Sequence, residues 1–256
     1  MSGFTDHFAP VATDYQRHRP SYPPALFGWL AQQAPHHDLA WDCACGTGQA
    51  ARALAGHFRR VLATDASEAQ VGAAQAVPGV EFQVAPAESC PADDGSVALV
   101  TVAQALHWFN GQAFHRELGR VLSPGGLLAA WSYGRLETGT PALDALLHRF
   151  HDQTLAPWWP PERRHVINRY RDLTLPFTPL QTPDFAMQCH WNLPQLMGYL
   201  GTWSAVARCR EATGQDPLQA LAPDLAEAWG EASTPRPVNW PLTLRVQRAP
   251  GDPAHA

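Results

Sequence analysis

Two glycines and an acidic residue in the first third of the chain have the types and spacing of a nucleotide-binding turn. Gly46 and Gly48 follow an apolar run and precede helix-favouring residues from Gln49 onward. Glycine has no Cβ, so the backbone at such a turn can approach a ligand closely, and the following helix offers unpaired N–H groups. Asp65 lies about 20 residues farther on, where an acid can bind ribose hydroxyls. These residues predict a site for a cofactor that contains a nucleoside.

The glycine turn alone fits two kinds of cofactor. Gly46-x-Gly48-x-x-Ala51 satisfies the permissive dinucleotide pattern, so an NAD or FAD enzyme fits it. Asp42, however, lies directly before the turn, where a dinucleotide-binding strand is usually apolar. A carboxylate at that position can face the ammonium group of S-adenosylmethionine, which therefore becomes the favoured cofactor.

Two features farther along the chain also favour S-adenosylmethionine. Glu88 follows a predicted strand and can accept a hydrogen bond from the adenine amine, while the N–H of Ala87 can donate to a ring nitrogen. The segment from Arg120 to Gly126 precedes another predicted strand, and its glycines let the chain turn tightly into the sheet. An NAD(P)-dependent oxidoreductase remains the alternative.

The composition argues against several classes of function. The 256 residues have a net charge of −5, which is unusual for a general nucleic-acid binder. All 18 basic residues are arginine, which excludes lysine Schiff bases and Gly-Lys-Ser/Thr phosphate loops. The five cysteines do not resemble a disulfide framework, and we expect no metal. No apolar run reaches the roughly 18 residues of a membrane span, and the first ten residues do not resemble a signal peptide. We therefore expect a cytoplasmic protein without nucleic-acid or membrane partners.

Strands and helices alternate through the first half of the chain, which predicts an α/β fold with a parallel sheet. The predicted strands are 39–44, 60–65, 80–84, 97–103 and 127–131, and the predicted helices are 25–34, 49–57, 67–76 and 111–122. The pattern changes after residue 133. There we predict helices at 141–152, 194–202 and 217–229, and strands at 185–191 and 239–246.

We interpret residues 1–248 as a single domain with four parts. An N-terminal lid and helix (1–34) precede the cofactor-binding core (39–133). An aromatic, arginine-bearing insertion (134–183) forms a cap over the sheet edge, and C-terminal strands and helices follow (184–248). Residues 249–256 are predicted to be a disordered tail.

These motifs together resemble those of the class I S-adenosylmethionine-dependent methyltransferases. The chain is most similar to the small-molecule branch that contains the trans-aconitate methyltransferase-like proteins. The matching segments are 42–48, 65–67, 87–88, 104–109, 120–126 and 199–204, together with Tyr15, Arg19, Pro20, Tyr22 and Pro23. The resemblance covers roughly residues 8–248. It implies a Rossmann-like fold with a seven-stranded, mostly parallel sheet whose last strand is antiparallel, and methyl transfer to a small molecule.

Two positions depart from the family pattern. Ala44 stands at the first glycine of the Asp-x-Gly-x-Gly-x-Gly motif. We expect a negative φ there, at which an extra methyl group is tolerated, so that cofactor binding is weakened at most. Ala98 replaces an acid that is common in the fourth strand, which affects a local contact rather than the cofactor site.

The resemblance and the residue types together define a predicted cofactor site. We expect Asp65 to bind both ribose hydroxyls, Ala66 to pack on the adenine, and Arg19 to approach the cofactor carboxylate from the N-terminal lid. The complete predicted set is Tyr15, Arg19, Asp42, Ala44, Gly46, Gly48, Gln49, Asp65, Ala66, Ala87, Glu88 and Gln104.

His107 follows the fourth predicted strand, at the sheet edge where open α/β folds place ligands. It is the candidate catalytic residue, able to orient a substrate oxygen or to take a proton. The predicted substrate pocket is aromatic with one cationic group and consists of Trp108, Trp131, Tyr133, Trp158, Arg163, Tyr199 and Trp203. Such a pocket suits a small acid with an apolar body.

We therefore expect methyl ester formation on a small-molecule carboxylate. The resemblance includes carboxyl-methylating members, and an ionised carboxylate needs no base. Two alternatives stay open at this point. One is the NAD(P)-dependent oxidoreductase, and the other is a cofactor-binding regulatory protein without catalysis.

Overall fold

A parallel sheet lies at the centre of residues 20–251, which are the part of the chain that the computed structural model describes. Its strands are β1 (Leu39–Cys43), β2 (Arg60–Asp65), β3 (Val80–Val84), β4 (Val97–Ala103) and β5 (Leu122–Tyr133). They lie side by side in the order β3-β2-β1-β4-β5. Six of the seven residues of β4 are buried, as expected of a central parallel strand that is covered on both faces.

The last strand joins this sheet to the C-terminal half of the chain. β8 (Arg236–Arg248) pairs antiparallel with β5 on one side, and with β6 (Thr178–Leu180) and β7 (Ala186–Trp191) on the other. Within residues 20–251, β8 is therefore the strand that runs against all the others. The predicted mostly parallel sheet with an antiparallel last strand is confirmed. Seven strands form the path β3-β2-β1-β4-β5-β8-β6, and β7 is an eighth.

Helices cover both faces of the sheet. α1 (Pro24–Gln33) and α2 (Gln49–Leu54) bury apolar residues against one face, and α4 (Gly111–Val121) covers the other. α3 (Glu68–Ala73) lies along β2 and β3 and begins at Ser67, whose hydroxyl accepts a hydrogen bond from the N–H of Gln70 at 3.3 Å. Ser67 is the N-cap of this helix.

The C-terminal helices form a third apolar cluster. They are α5 (Pro141–Arg149), α7 (Leu193–Gly201), α8 (Ser204–Thr213) and α9 (Pro217–Trp229), with a π-helical turn at Phe150–Thr154 and a 3₁₀ turn at Ala156–Trp158. The short helix α6 (Arg163–Ile167) instead buries Val166 in the cluster that α4 covers. Leu147 and Phe150 share this cluster with Leu196 and Leu225. The predicted cap is therefore continuous with the C-terminal helices. Helix α8, which the sequence analysis did not predict, buries only Ala205, Val206 and Cys209.

Two predictions about segment boundaries are wrong. Strand β5 begins at Leu122 rather than Leu127, because Leu122 already pairs with Val97. The second concerns the predicted disordered tail, because its first two residues, Ala249 and Pro250, form backbone hydrogen bonds. The N–H of Ala249 donates to the carbonyl of Gly126 at 2.8 Å, and the carbonyl of Pro250 accepts from Gly125 at 2.9 Å.

The backbone of the glycine turn differs from the prediction at Ala44. Its φ is +55°, which is positive like the φ of Gly46 (+56°) and the φ of Gly48 (+84°). A left-handed conformation costs an L-residue with a Cβ about 1–2 kcal/mol. The prediction of a negative φ at Ala44 was wrong, and alanine holds this turn under strain that glycine would not carry.

We therefore expect Ala44→Gly to stabilise the fold. The relief of strain exceeds the entropy that glycine adds to the unfolded chain, about 0.4–1 kcal/mol, so the expected net gain is about 0.5 kcal/mol. Urea unfolding measures it. Ala220→Gly, at an exposed position of α9, is the matched control and should destabilise by about 1 kcal/mol. Equal losses in both variants would contradict the strain at Ala44.

Candidate active site

The carboxylate of Asp65 holds the glycine turn against the end of β2. Its Oδ2 atom accepts a hydrogen bond from the N–H of Gly46 at 2.8 Å, and Oδ1 accepts from the N–H of Ser67 at 2.9 Å. Asp65 is half-buried and lies at the carboxyl edge of the sheet. The acid expected to bind ribose is thus placed beside the turn expected to bind the rest of the cofactor, and Ala66 follows it, half-buried.

Asp42 is a buried carboxylate with one unpartnered oxygen. Its side chain lies at the end of β1 and is 1% exposed. The hydroxyl of Thr101 donates to Oδ1 at 2.7 Å, whereas Oδ2 has no hydrogen-bond partner in the described part of the chain. Burial raises the pKa of Asp42 to about 7, although the hydroxyl of Thr101 and the nearby backbone N–H of Ala51 lower it. A buried acceptor without a donor is unfavourable, so this oxygen fits a cationic N–H group of a bound ligand.

Gly48 and Gln49 join the turn to helix α2. Gly48 is the N-cap of this helix, and a Cβ there would come within 2.5 Å of the Phe82 ring. The side-chain amide of Gln49 donates to the carbonyl of Pro20 at 2.9 Å. This hydrogen bond holds Pro20 beside the glycine turn. Tyr15 and Arg19, the predicted lid residues, lie outside the described residues.

Two other predicted cofactor residues have side chains bonded to the protein itself. Glu88 Oε1 accepts a hydrogen bond from the N–H of Asn110 at 3.1 Å, and its neighbour Ala87 packs on the apolar cluster of that face. Gln104 has a φ of +59° and donates its side-chain amide to the carbonyl of Tyr133 at 3.0 Å. Both residues lie at the predicted edge of the sheet, where their present bonds fix the loops after β3 and β4.

His107 lies in a 3₁₀ turn after β4, where it contacts Tyr170 of the cap. Its Nδ1 atom is 3.0 Å from the hydroxyl of Tyr170, and its ring centroid lies 4.8 Å from that of Trp108. Burial lowers the pKa of His107 to about 3, and the positive charge of Arg163 adds to the effect. The imidazole is therefore neutral at pH 7.

Arg163 lies in an aromatic part of the cap. Its guanidinium is 4.8 Å from the centroid of the Trp159 ring, and Nη2 is 3.3 Å from Nε2 of His151. His151 is 4% exposed, and burial lowers its pKa to about 4. Its other nitrogen, Nδ1, is 2.7 Å from Asp152, which also pairs with Arg135. A neutral histidine anchored to an acid thus positions the arginine.

Four of the residues predicted to line a substrate pocket lie instead in the apolar core. Trp131 is fully buried, with its ring 5.4 Å from Tyr22, and Tyr199 accepts a hydrogen bond from the Trp240 indole at 3.0 Å. Tyr133 and Trp203 are 5% and 7% exposed. Large aromatic side chains are used both in apolar cores and in the walls of binding pockets. The residue types alone therefore did not distinguish a core from a pocket. Trp108, Trp158 and Arg163 are half-buried.

The sequence analysis missed Thr101 and did not connect Tyr170 with His107. Thr101 is the polar residue within the apolar run of β4, and its pairing with Asp42 across the strands could have been expected from that. Tyr170 is 63 residues from His107, and no local pattern connects the two. Within the described residues no group of three or more His, Cys, Asp or Glu side chains could hold a metal ion. No helix of residues 20–251 is long and apolar enough to cross a membrane.

Comparison with known proteins agrees with this arrangement. Residues 41–130, which contain the turn, Asp65 and His107, match the family described as methyltransferase domain. A methyltransferase assigned in Dictyostelium discoideum is 31% identical over 229 residues, covering 88% of this chain and 87% of that protein. An uncharacterised methyltransferase of Mycobacterium tuberculosis is 37% identical over 122 residues, covering 47% of this chain and 49% of its own length.

A solved structure is similar over nearly the whole chain. This protein, assigned as a type II methyltransferase of Anaeromyxobacter dehalogenans, is 44% identical and superposes with a TM-score of 0.87, covering 91% of this chain and 99% of its own. These relatives do not distinguish the trans-aconitate methyltransferase-like branch, and they are methyltransferases rather than oxidoreductases. The glycine turn, the acid at the tip of β2 and the relatives agree, and the chain belongs to the class I S-adenosylmethionine-dependent methyltransferases.

Proposed function

We propose that this enzyme methylates the carboxylate of a small molecule. The observation that carries the proposal is the neutral His107 beside the charge of Arg163. An efficient general base has a pKa near the working pH, and a histidine with a pKa of about 3 is a poor one. A hydroxyl or carbon acceptor needs a base, whereas a carboxylate is already ionised at pH 7. The residues present therefore suit an acceptor that arrives as an anion.

The cofactor residues fit S-adenosylmethionine, the methyl donor of the family. We infer that Oδ2 of Asp42 accepts from the ammonium group and that Asp65 binds the ribose hydroxyls, in addition to its bonds with Gly46 and Ser67. The unpartnered, buried Oδ2 atom supports the first role. The bound cofactor supplies an electrophilic methyl group on a sulfonium. The work left to the protein is to align the acceptor oxygen with that group and to exclude water.

The cap supplies the groups that would hold such an acceptor. Arg163 can donate two parallel hydrogen bonds to a carboxylate, and its stacking on Trp159 restricts the directions it can take. Trp108 and Trp158 are half-buried, and each packs on an apolar cluster of the protein. An acid with an apolar body matches this combination of one cation and several indole rings. His107 then orients the acceptor oxygen instead of removing a proton.

A panel of acceptors tests the proposal directly. The protein is incubated with S-adenosylmethionine that carries an isotopically labelled methyl group, together with small carboxylic acids and with matched alcohols and amines. We expect labelled methyl esters from aromatic or aliphatic acids. Transfer to alcohols or amines while the matched acids stay unmodified would overturn the assignment of the acceptor, and cofactor binding without any transfer would favour a regulatory role.

Asp42→Asn should weaken cofactor binding and stabilise the fold at high pH. The folded pKa of Asp42, about 7, lies above its unfolded value of about 3.9. The stability linked to its proton is therefore complete below about pH 4 and is lost as the pH rises through about 7. The asparagine keeps an oxygen for Thr101 and carries no charge to bury. At pH 8 we expect a gain of about 1 kcal/mol or more in urea unfolding, which shrinks towards pH 4.

Calorimetry with S-adenosylmethionine measures the second effect of Asp42→Asn. Loss of a charged hydrogen-bond acceptor weakens binding by at least about tenfold. Asp93→Asn, in an exposed turn, is the matched control and should leave both quantities unchanged. Unchanged cofactor affinity in Asp42→Asn would remove Asp42 from the site, whatever happens to stability.

Arg163→Met should raise KM for a carboxylate acceptor by at least about tenfold, because a charged hydrogen bond is worth about 1.5–3 kcal/mol. Methionine keeps the contact with Trp159 while removing the charge. Since Arg163 lowers the pKa of His107, the variant should also raise that pKa, which ¹⁵N spectra follow without any acceptor. Arg164→Met, at the exposed neighbouring position, is the control. Similar effects in both variants would show that Arg163 has no specific role.

A further inference from the structure

Tyr170 is held in an unfavourable backbone conformation next to the candidate active site. Both Arg169 and Tyr170 have a φ of +56°, a region that costs residues with a Cβ about 1–2 kcal/mol each. Several contacts maintain it. The N–H of Tyr170 donates to the carbonyl of His165 at 2.7 Å, and the guanidinium of Arg245 donates to the carbonyls of Tyr170 and Leu173. Strain that the surroundings maintain in this way often lies at functional sites.

This conformation places a buried phenol against His107. Tyr170 is fully buried, and its hydroxyl oxygen lies 3.0 Å from Nδ1 of His107, with the two rings 5.9 Å apart. Burial raises the pKa of Tyr170 well above its ordinary value, so the phenol keeps its proton. Because the imidazole is neutral, it carries one proton, either on Nδ1 or on Nε2.

The hydrogen bond favours one of these two tautomers. If Nδ1 carried the proton, the phenol would accept it and its own proton would need another acceptor within the core. The hydroxyl of Ser132 has no hydrogen-bond partner within residues 20–251, so it does not take the phenol proton, and Nδ1 of His107 is the group in contact with the phenol oxygen. The phenol proton is therefore best placed on Nδ1, which leaves the imidazole proton on Nε2. Nδ1 is the ring nitrogen that contacts Tyr170, so Nε2 is the nitrogen left to face a ligand.

We propose that Tyr170 is a positioning residue whose hydroxyl donates to Nδ1 of His107 and fixes the Nε2–H tautomer, so that His107 presents a hydrogen-bond donor to the methyl acceptor. The inference rests on the proposed function for the identity of that acceptor, but the tautomer itself does not depend on it. A donor at this position suits an anionic oxygen. A histidine with a free Nε2 lone pair would instead repel it.

The tautomer is measured directly in the intact protein. Two-bond ¹H–¹⁵N correlation spectra distinguish a protonated from an unprotonated imidazole nitrogen, and the signals of His107 are identified by their absence in His107→Gln. We expect the wild-type protein to have a protonated Nε2 and a hydrogen-bonded, unprotonated Nδ1. In Tyr170→Phe, the Nδ1 signal should move to that of a free acceptor and the share of the other tautomer should rise.

Tyr199→Phe is the matched control for the loss of a buried tyrosine hydroxyl. It removes the acceptor of Trp240 in a different cluster and should leave the His107 signals in place. A protonated Nδ1 in the wild-type protein would overturn the proposal, as would identical His107 spectra in wild type and Tyr170→Phe. The wild-type spectrum decides the tautomer even if Tyr170→Phe does not fold.

A double-mutant cycle tests the consequence for methyl transfer with an acid identified by the acceptor panel. Glutamine can place an N–H near the position of Nε2–H without help from Tyr170. We expect Tyr170→Phe to lower kcat up to about tenfold in the wild-type background and to have little effect in the His107→Gln background. Equal losses in both backgrounds would show that Tyr170 acts only on the fold. If no acid is methylated while the spectra show the predicted tautomer, the proposed acceptor is wrong and the role of Tyr170 stands.

Discussion

The hydrogen bonds of Asp65 are the constraint on which the candidate site depends. One carboxylate joins the turn after β1 to the first residues after β2, with both bonds at or below 2.9 Å. Parallel neighbours in a sheet bring these two ends to the same edge, and the carboxylate then fixes how the turn faces the crevice. The unfavourable φ of Ala44 and the buried carboxyl group of Asp42 are both located within this fixed arrangement. The sheet supplies the stability that these local costs require.

The electrostatics of the site depend on burial more than on ion pairs. His107 and His151 both have pKa values well below the ordinary range for histidine, and burial is the largest cause for each. Asp42 is shifted upward for the same reason. The region between the sheet edge and the cap therefore favours neutral groups, with the guanidinium of Arg163 as its neighbouring cation. In such surroundings an incoming anion interacts strongly with the arginine, because little solvent screens the charge.

The parts of the fold that depend on local patterns were predictable from the sequence. Strands β2, β3 and β4 have the predicted bounds, because β2 and β4 contain apolar runs and β3 alternates apolar and polar residues. Helix α8 was not predicted, because half of its surface faces solvent and its apolar positions are few. The conformation of Ala44 could not be predicted because it follows from the closure of the turn by Asp65, a contact between residues far apart in the chain. The pairing of Tyr170 with His107 has the same origin.

Strand β8 has a consequence for the order in which the chain can complete its fold. It fills the space between β5 and the pair β6 and β7, yet it is separated from β5 by roughly 100 residues. At a synthesis rate of about 5–20 residues per second, the open edge of β5 waits roughly 5–20 s on the ribosome before its partner emerges. During that time the nascent chain exposes a strand edge able to pair with other chains. Until β8 is available, β5 therefore has one unpaired edge, on the side opposite β4.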